Sequence, residues 1–268
     1  MGECDPWDVT VDALRMSVLP TLHEPALLLA FEGWNDAGEA ATNAASYVAA
    51  AIQAVPLAEI DCEEFLDFTV ARPTVRMNAG GVREVDWPSH RFVYGTLSDE
   101  RGLVIGTGIE PHLRWRAYVD LVSDLAGRLG IRQVVLLGAF LADVLYSRPV
   151  NVTGFSSRPE VLEKLHVAPT GYEGPTGIVG VLADRFRRDG LEVVSLWAGL
   201  PHYVNLSPNP RGSYALLQQI EAYLPLRLDE EPLRRSAAEF EERISALVAS
   251  DPELTEYVRE LKRREFAQ

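Results

Sequence analysis

The feature that most constrains this chain is an apolar run that stops at a glycine. In LLLAFEGWNDAGEAATNAASYV, residues 27–48, the continuous apolar residues predict a strand buried on both faces. Asp36, with Glu39 three residues later, predicts a helix N-cap in a capping box, and the alanines that follow provide a stripe for close packing. The segment is therefore predicted to be strand, turn and helix, a unit whose free backbone N–H groups can bind anions.

Similar units recur along the chain. Buried strands and amphipathic helices alternate, with strands predicted at 102–106, 133–140 and 191–200 and helices at 111–130, 175–189 and 208–224. Short alternating runs around an Ala-Gly-Gly turn at 64–96 are typical of antiparallel strands. Residues 141–173 are predicted to be mainly loop, with one regular stretch at 159–167. This order predicts an α/β fold, a three-layer α/β/α sandwich with a mainly parallel mixed sheet.

The composition changes after Pro225, where the sequence becomes highly charged. Apolar residues recur at helical spacing on both sides of Asp251-Pro252, which fits an N-cap followed by proline at the first helical position. We therefore expect a core domain at 1–228 and a C-terminal helical extension, a hairpin, at 229–268. Its apolar stripe fits packing on its own domain or contact with another subunit, and both interpretations stay open.

Charge and cysteine content restrict the classes of function. The 268 residues carry a formal net charge of −14, which argues against nucleic acid and anionic membranes as partners. Neither cysteine, Cys4 or Cys62, has metal-ligand spacing to a second Cys or His. No stretch approaches the roughly 18 to 20 apolar residues of a membrane span. We expect a cytoplasmic protein with no metal, no cofactor and no membrane contact.

Motifs of well-known catalytic machinery do not occur in the sequence. GxxxxGK[ST], HExxH and GxSxG are all missing, and the five histidines form no i, i+4 pair. GTGIEP at 106–111 begins like a dinucleotide fingerprint, but Pro111 replaces the third glycine, which favours a plain loop. No catalytic residue is therefore assigned, and a non-enzymatic protein is favoured.

Polar, glycine-containing loops adjoin the predicted strands. Because the carboxyl ends of parallel strands meet at one edge of a sheet, we expect these loops to form a common rim. The candidate ligand or partner residues on this rim are Gly33, Asn35, Asp36, Glu110, Asp143, Arg148, Glu173, Thr176, Gly177 and His202. A helix cap is the alternative role for Asp36, a surface charge for Glu110 and Glu173, and an ion pair for Arg148.

Five ordered blocks in these regions resemble the proteasome assembly chaperone 2 family in its bacterial branch. They are LLLAFEGWNDAGEAATNAASYV, GIEPHLRW, LLGAFLADV with RPVNVTGFSS, YEGPTGIVGVLADRFRRDGL and VVSLWAGLPHYV, within residues 20–225. The resemblance implies a fold similar to purine nucleoside phosphorylases and a homo-oligomer, with a trimer expected. Archaeal and eukaryotic relatives bind proteasome subunits during assembly, several through a C-terminal hydrophobic-Tyr-X tail. This chain ends REFAQ, without that tyrosine, so docking by the tail is not expected.

Two functions follow from these observations. The leading interpretation is a non-enzymatic, chaperone-like homo-oligomer that binds proteasome or other protein-complex subunits through the rim loops and the helical extension. The alternative is an enzyme or binder of a small anionic metabolite or nucleoside, because the turns at 31–39 and 174–180 place helix N-termini on the rim. No phosphate-binding arginine set matches this sequence, and fold similarity alone does not transfer an activity.

Overall fold

The computed structural model describes residues 13–204 and 206–266. Its strands are β1 (Leu14–Met16), β2 (Ala26–Glu32), β3 (Val55–Asp61), β4 (Thr74–Met77), β5 (Arg83–Asp86), β6 (Ser89–Thr96), β7 (Gly102–Ile109), β8 (Gln133–Ala142), β9 (Val152–Ser156), β10 (Ala168–Pro169) and β11 (Glu192–Pro201). Its α-helices are α1 (Ala40–Ala51), α2 (Trp115–Arg128), α3 (Pro159–Leu165), α4 (Ile178–Arg188), α5 (Pro210–Tyr223), α6 (Glu231–Ser250) and α7 (Pro252–Phe266).

A mixed sheet forms the centre of the molecule. In the described residues its strand order is β1-β3-β6-β7-β2-β8-β11-β9-β10. The four central strands, β7, β2, β8 and β11, are parallel, whereas β6 and β9 flank them in the antiparallel direction. β2 is buried from Ala26 to Phe31, as its unbroken apolar sequence predicts for a central parallel strand.

Helices cover both faces of this sheet. On one face the alanine stripe of α1 packs with α3 and α5, and on the other α2 and α4 pack around Tyr118 and Phe186. A Cβ on Gly212 of α5 would lie 2.8 Å from Cβ of Ala40, so small residues let α1 and α5 approach closely. The predicted three-layer α/β/α sandwich is confirmed, while its likeness to purine nucleoside phosphorylases stays a prediction.

Several elements differ from the sequence-based expectation, which did not place the strands β1 and β3. α2 begins at Trp115 rather than near Pro111, because the backbone N–H groups of His112 and Leu113 donate to Phe65 O instead of continuing a helix. α4 begins at Ile178 rather than at Pro175. Strand β9, which pairs with β11, lies in the segment expected to be mainly loop, where its five residues were too few to stand out between prolines.

The C-terminal residues form the expected helical hairpin and pack on their own chain. Phe240 and Ile244 of α6 and Val258 of α7 are buried with Leu145 and Val204 of the core. Asp251 accepts hydrogen bonds from the backbone N–H groups at 253 and 254, at 2.9 and 3.1 Å, as its predicted N-cap role requires. The boundary between the domains 1–228 and 229–268 stays a prediction. Residues 267 and 268 of the REFAQ end, like Cys4, lie outside the described residues.

Across the parts of the chain that the structure describes, no helix combines the length and the apolar character needed to cross a membrane.

Candidate functional site

The loops that follow the central strands start at one edge of the sheet. β2, β7, β8 and β11 end at Glu32, Ile109, Ala142 and Pro201, and all four run in the same direction. The loops that were predicted to form a rim therefore begin at the same edge of the sheet. The ten candidate residues of this rim do not meet in one cleft, however, but divide into separate groups.

The first group is a junction of three loops around Glu110. Oε1 of Glu110 accepts a hydrogen bond from Asn35 Nδ2 and another from the backbone N–H of Ile178, each at 2.7 Å. Asn35 is fully buried, and Ala139 N donates to its backbone oxygen at 2.8 Å, which fixes the loop to β8. The N-terminus of α4 is thus already bound to a carboxylate of the protein.

Two glycines shape this junction. A Cβ on Gly177 would overlap Oδ1 of Asn35, so only glycine leaves room for that side chain. Gly33 has a φ of 110°, which is strained for other residues, and its carbonyl accepts from Asp36 N at 3.1 Å in a tight turn. The glycines that the sequence placed on the rim are therefore required by the packing and the backbone.

Asp36 is buried and holds the N-terminus of helix α1. Its carboxylate accepts from the backbone N–H of Ala41 at 2.6 Å and of Thr42 at 3.3 Å, and from the Thr42 hydroxyl. Burial raises the pKa of Asp36, and these hydrogen bonds oppose that rise. The capping-box prediction is wrong in its position, because Glu39 stands at the N-cap without a side-chain cap bond and a 3₁₀ turn intervenes. Asp36 stabilises the helix N-terminus from further upstream.

The second group lies where α7 covers the rim. His202 Nε2 lies 3.4 Å from Asp143 Oδ1, and the Tyr257 hydroxyl of α7 lies 3.2 Å from both. Arg148 forms an ion pair with Glu265 of α7 at 3.2 Å. Arg148 therefore makes the predicted ion pair, and the polar side chains that follow β8 and β11 are engaged by the helical extension.

The remaining candidates, Glu173 and Thr176, are exposed in the loop before α4. The Tyr172 hydroxyl folds this loop back on itself by donating to Pro175 O at 2.9 Å. Thr176 Oγ1 donates to the neighbouring Gly177 O at 3.5 Å, and within the described part of the chain neither side chain bonds to Glu110 or to the group under α7.

The anion-binding alternative depended on the N-termini of α1 and α4. Internal carboxylates occupy both, Asp36 on α1 and Glu110 on α4. Gly106 and Gly108 of the GTGIEP stretch lie inside β7, where Cβ atoms would collide with Phe92 and His90. These glycines allow close packing within the sheet. The backbone N–H groups at the starts of α1 and α4, which were expected to bind a phosphate, are bonded to carboxylates of the protein itself.

Exposed apolar side chains are the rim feature that sequence reasoning missed. Large apolar residues stand in solvent on the loops after β2 and β7, at the end of β8 and in the loop before α4: Trp34, Leu113, Phe140, Leu141 and Tyr172. In the sequence, Phe140 looks like the end of the buried strand predicted at 133–140, and Leu141 looks like the start of a loop. The ladder of β8 with β2 stops at Leu136 and a bridge from Ala139 to the loop after β2 follows, so Phe140 and Leu141 lie beyond both and are exposed.

His90 of β6 and Cys62, which directly follows β3, form a buried polar cluster away from the rim. The imidazole of His90 donates a hydrogen bond from Nε2 to Ile109 O. In the neutral ring Nδ1 is then an acceptor, and it accepts a hydrogen bond from the thiol of Cys62 at 3.2 Å. Burial lowers the pKa of His90 to about 4 and raises that of Cys62 to about 12. Both groups are neutral near pH 7, which makes this pair a packing feature. Sequence spacing carries no signal of it.

A cavity of about 450 Å³ lies next to this cluster. Its lining comes from β1, β3, β5, β6 and the segments beside them, including Arg15, Asp61, Cys62 and Trp87. None of the ten candidate rim residues lines it. This cavity is thus separate from the predicted site.

Known proteins share this fold and sequence pattern. The family model described as the PAC2 family matches residues 30–248. The Mycobacterium tuberculosis proteasome-assembly chaperone homologue Rv2125 aligns with a TM-score of 0.79 and 39% identity, covering 87% of this chain and 99% of its own. A PAC2 family protein from Streptomyces avermitilis aligns with a TM-score of 0.79, 38% identity and the same two coverages.

A more distant likeness shows the fold alone. PbaB of Pyrococcus furiosus, an archaeal proteasome activator, aligns with a TM-score of 0.70 and 18% identity over 87% of this chain and 97% of its own. The sequence has no significant match among curated proteins. The family model spans most of the chain, and two actinobacterial structures exceed 30% identity over almost their whole length. This chain belongs to the PAC2 family.

Proposed function

We propose that this chain is a non-enzymatic, chaperone-like protein that binds subunits of a proteasome or of another protein complex. It acts in the cytoplasm as a homo-oligomer, for which we propose a trimer. The proposal is supported by the family and by the 39% identical relative described as a proteasome-assembly chaperone homologue.

The observation that carries this proposal is the exposed apolar rim. Trp34, Leu113 and Tyr172 project into solvent from loops at the carboxyl edge of the sheet, and Leu141 does so from the end of β8. Aromatic and large aliphatic residues of this kind are enriched at the centres of protein interfaces. We assign this rim as the surface that contacts the partner.

The polar groups behind the rim support binding rather than chemistry. Asn35, Glu110 and the N-terminus of α4 are bonded to one another, so they hold the loops still. A rigid surface loses little conformational entropy when a partner docks. The ten candidate residues from the sequence remain proposed rim residues, with Asn35, Asp36, Glu110 and Gly177 supporting the loops from within.

The helical extension at 229–268 is proposed as a second contact surface. Its inner face is used by the core, so a partner would meet its outer face, where Leu247 is exposed. A charge placed there by Leu247→Glu leaves the buried stripe intact. If the extension contributes, this variant weakens partner capture or lowers the oligomer mass.

Photo-crosslinking tests the rim directly. A benzoylphenylalanine in place of Leu141, which is 57% exposed, is irradiated in the native host and compared with one in place of Val55, which is 48% exposed. Val55 starts β3 at the other end of the parallel strands. Crosslinks to a defined complex subunit from Leu141, without them from Val55, are expected. Equal patterns from both positions would exclude the rim.

Native mass spectrometry tests the assembly state. A mass of three chains is expected for the purified protein, at 29.6 kDa per chain. A monomer at micromolar concentration would contradict the proposed homo-oligomer, without bearing on the rim experiment.

A further inference from the structure

Two carboxyl groups meet where the core joins the C-terminal helices. Glu221 lies near the end of α5, and Glu230 directly precedes α6. Their side chains are within hydrogen-bonding reach of each other. The linker between them, residues 224–229, is the covalent connection of the sandwich to the helical extension.

One oxygen in this pair lacks a donor. Oε1 of Glu221 accepts from Leu228 N at 2.8 Å, and Oε2 of Glu230 accepts from the Tyr214 hydroxyl at 2.9 Å. Oε2 of Glu221 is buried and has no hydrogen-bond partner in the described chain. Ionised carboxylates only accept, so a proton held by one of the two groups would supply the missing donor.

The surrounding charges also favour one proton. Asp229 lies beside the pair and is held by Tyr47 of α1, whose hydroxyl donates to its backbone oxygen at 2.5 Å. Glu231 begins α6. Arg234 is the cation that acts on Glu230, but it is exposed and already forms an ion pair with Glu231. Two ionised carboxylates at this point would repel each other with little compensation.

We propose that Glu221 and Glu230 share one proton, and that this proton fastens the linker and the first turn of α6 to the core, so that loss of the proton opens this segment. Opening stays local, because the buried side chains of Phe240 and Ile244 keep the rest of α6 packed against the core. The device is independent of the partner-binding role proposed above.

The direction of the pH response follows from the proton. Burial, and then the hydrogen bond to Glu230, raises the pKa of Glu221 to about 7, while the bond to Glu221 lowers the pKa of Glu230. When the linker and the first turn of α6 are docked on the core, the carboxyl pair holds a proton. When this segment opens, the pair releases that proton. Docking is therefore favoured at acidic pH and is lost as the pH rises through about 7.

Hydrogen exchange on the full chain tests this inference. Protection of the amides at 224–236 is measured between pH 5.5 and 8.5 and corrected for intrinsic exchange. In the wild-type protein it is expected to fall by up to about tenfold per pH unit between pH 5.5 and about 7, and to level off above that because both states are then deprotonated. Glu221→Gln should make protection independent of pH, and Glu230→Gln removes the pair a second way. Glu239→Gln, an exposed position on α6, should behave as the wild type.

Two results would overturn the inference. One is wild-type protection that does not change with pH after correction, and the other is a pH dependence that survives in both Glu221→Gln and Glu230→Gln. Carboxyl ¹³C shifts give an independent reading: one group of the pair should titrate near neutral pH, and titration of both below pH 5 would contradict the shared proton.

Discussion

Asn35 and Glu110 are joined by a hydrogen bond of 2.7 Å between Nδ2 and Oε1, although 75 residues separate them in sequence. The same oxygen accepts from the backbone N–H of Ile178. One carboxylate oxygen therefore connects the loop after β2, the loop after β7 and the start of α4. The connection closes the helix N-terminus to external anions and makes the rim a firm support for its exposed apolar residues.

Gly177→Ala tests how closely this junction is packed. The added methyl group would overlap Oδ1 of Asn35, so the variant should lose about 1–3 kcal/mol of unfolding free energy in urea titrations. Gly127→Ala is the matched control, because nothing lies within 4 Å of its Cβ in helix α2. It should gain up to about 1 kcal/mol. Similar effects at both positions would mean that the junction tolerates the methyl group.

Asp36→Ala tests the buried cap of α1. The change leaves the N–H groups of Ala41 and Thr42 without their acceptor, so we expect a loss of about 2 kcal/mol in the same titrations. Asp36→Asn keeps one acceptor oxygen and should lose less. If Asp36→Ala is as stable as the wild-type protein, the carboxylate does not hold the helix.

His90 makes stability depend on pH. Burial lowers its folded pKa to about 4, whereas an unfolded histidine has a pKa of about 6.5. Between these values the unfolded chain binds a proton that the native chain excludes. Stability contributed by this site is therefore present above about pH 6.5 and falls by about 3 kcal/mol as the pH drops to 4.

Urea titrations at several pH values between 4 and 7 measure this contribution. His90→Gln removes the titrating group, so its stability should fall less steeply on acidification than that of the wild-type protein. His23→Gln, at an exposed position, is the control and should keep the wild-type slope. Parallel slopes for all three proteins would show that His90 is not kept neutral by burial.

The buried apolar contacts of the helical extension should contribute more to its docking on the core than its surface ion pair does. Phe240 of α6 is buried against Leu145 and Val204 of the core. Phe240→Ala should therefore lower the free energy of docking of the helical extension by about 3–5 kcal/mol. Arg148→Ala removes an ion pair with Glu265 whose side chains are 55% and 44% exposed, and it should cost no more than about 1 kcal/mol. Hydrogen exchange of α6 and α7 reports both effects. The reverse ranking would assign docking to the charges.

Sequence patterns predicted the layers of this fold because burial imposes a local period. The unbroken apolar run of β2 and the alanine stripe of α1 carry that signal in adjacent residues. Whether rim residues touch depends on contacts between distant segments. Asn35 and Glu110 meet, whereas Asp143 and His202 lie under Tyr257, and no local pattern distinguishes the two cases.

Exposure at a strand end is equally invisible to local patterns. Leu137 and Leu141 are both leucines of β8, but Leu137 is buried in the core under α1 and α5, whereas Leu141, one residue from the end of the strand, is 57% exposed. The same lack of local signal applies to Cys62 and His90, which are 28 residues apart and meet only across β3 and β6.

The most direct test of a partner-binding rim is quantitative affinity capture from the native host with three forms of the protein. Leu141→Glu places a charge in the exposed rim, and Val55→Glu places the same charge at the other end of the sheet. We predict that wild type and Val55→Glu capture the same complex subunits in fixed stoichiometry, and that Leu141→Glu loses them while keeping its fold and oligomer mass. Equal capture by all three proteins would contradict the account.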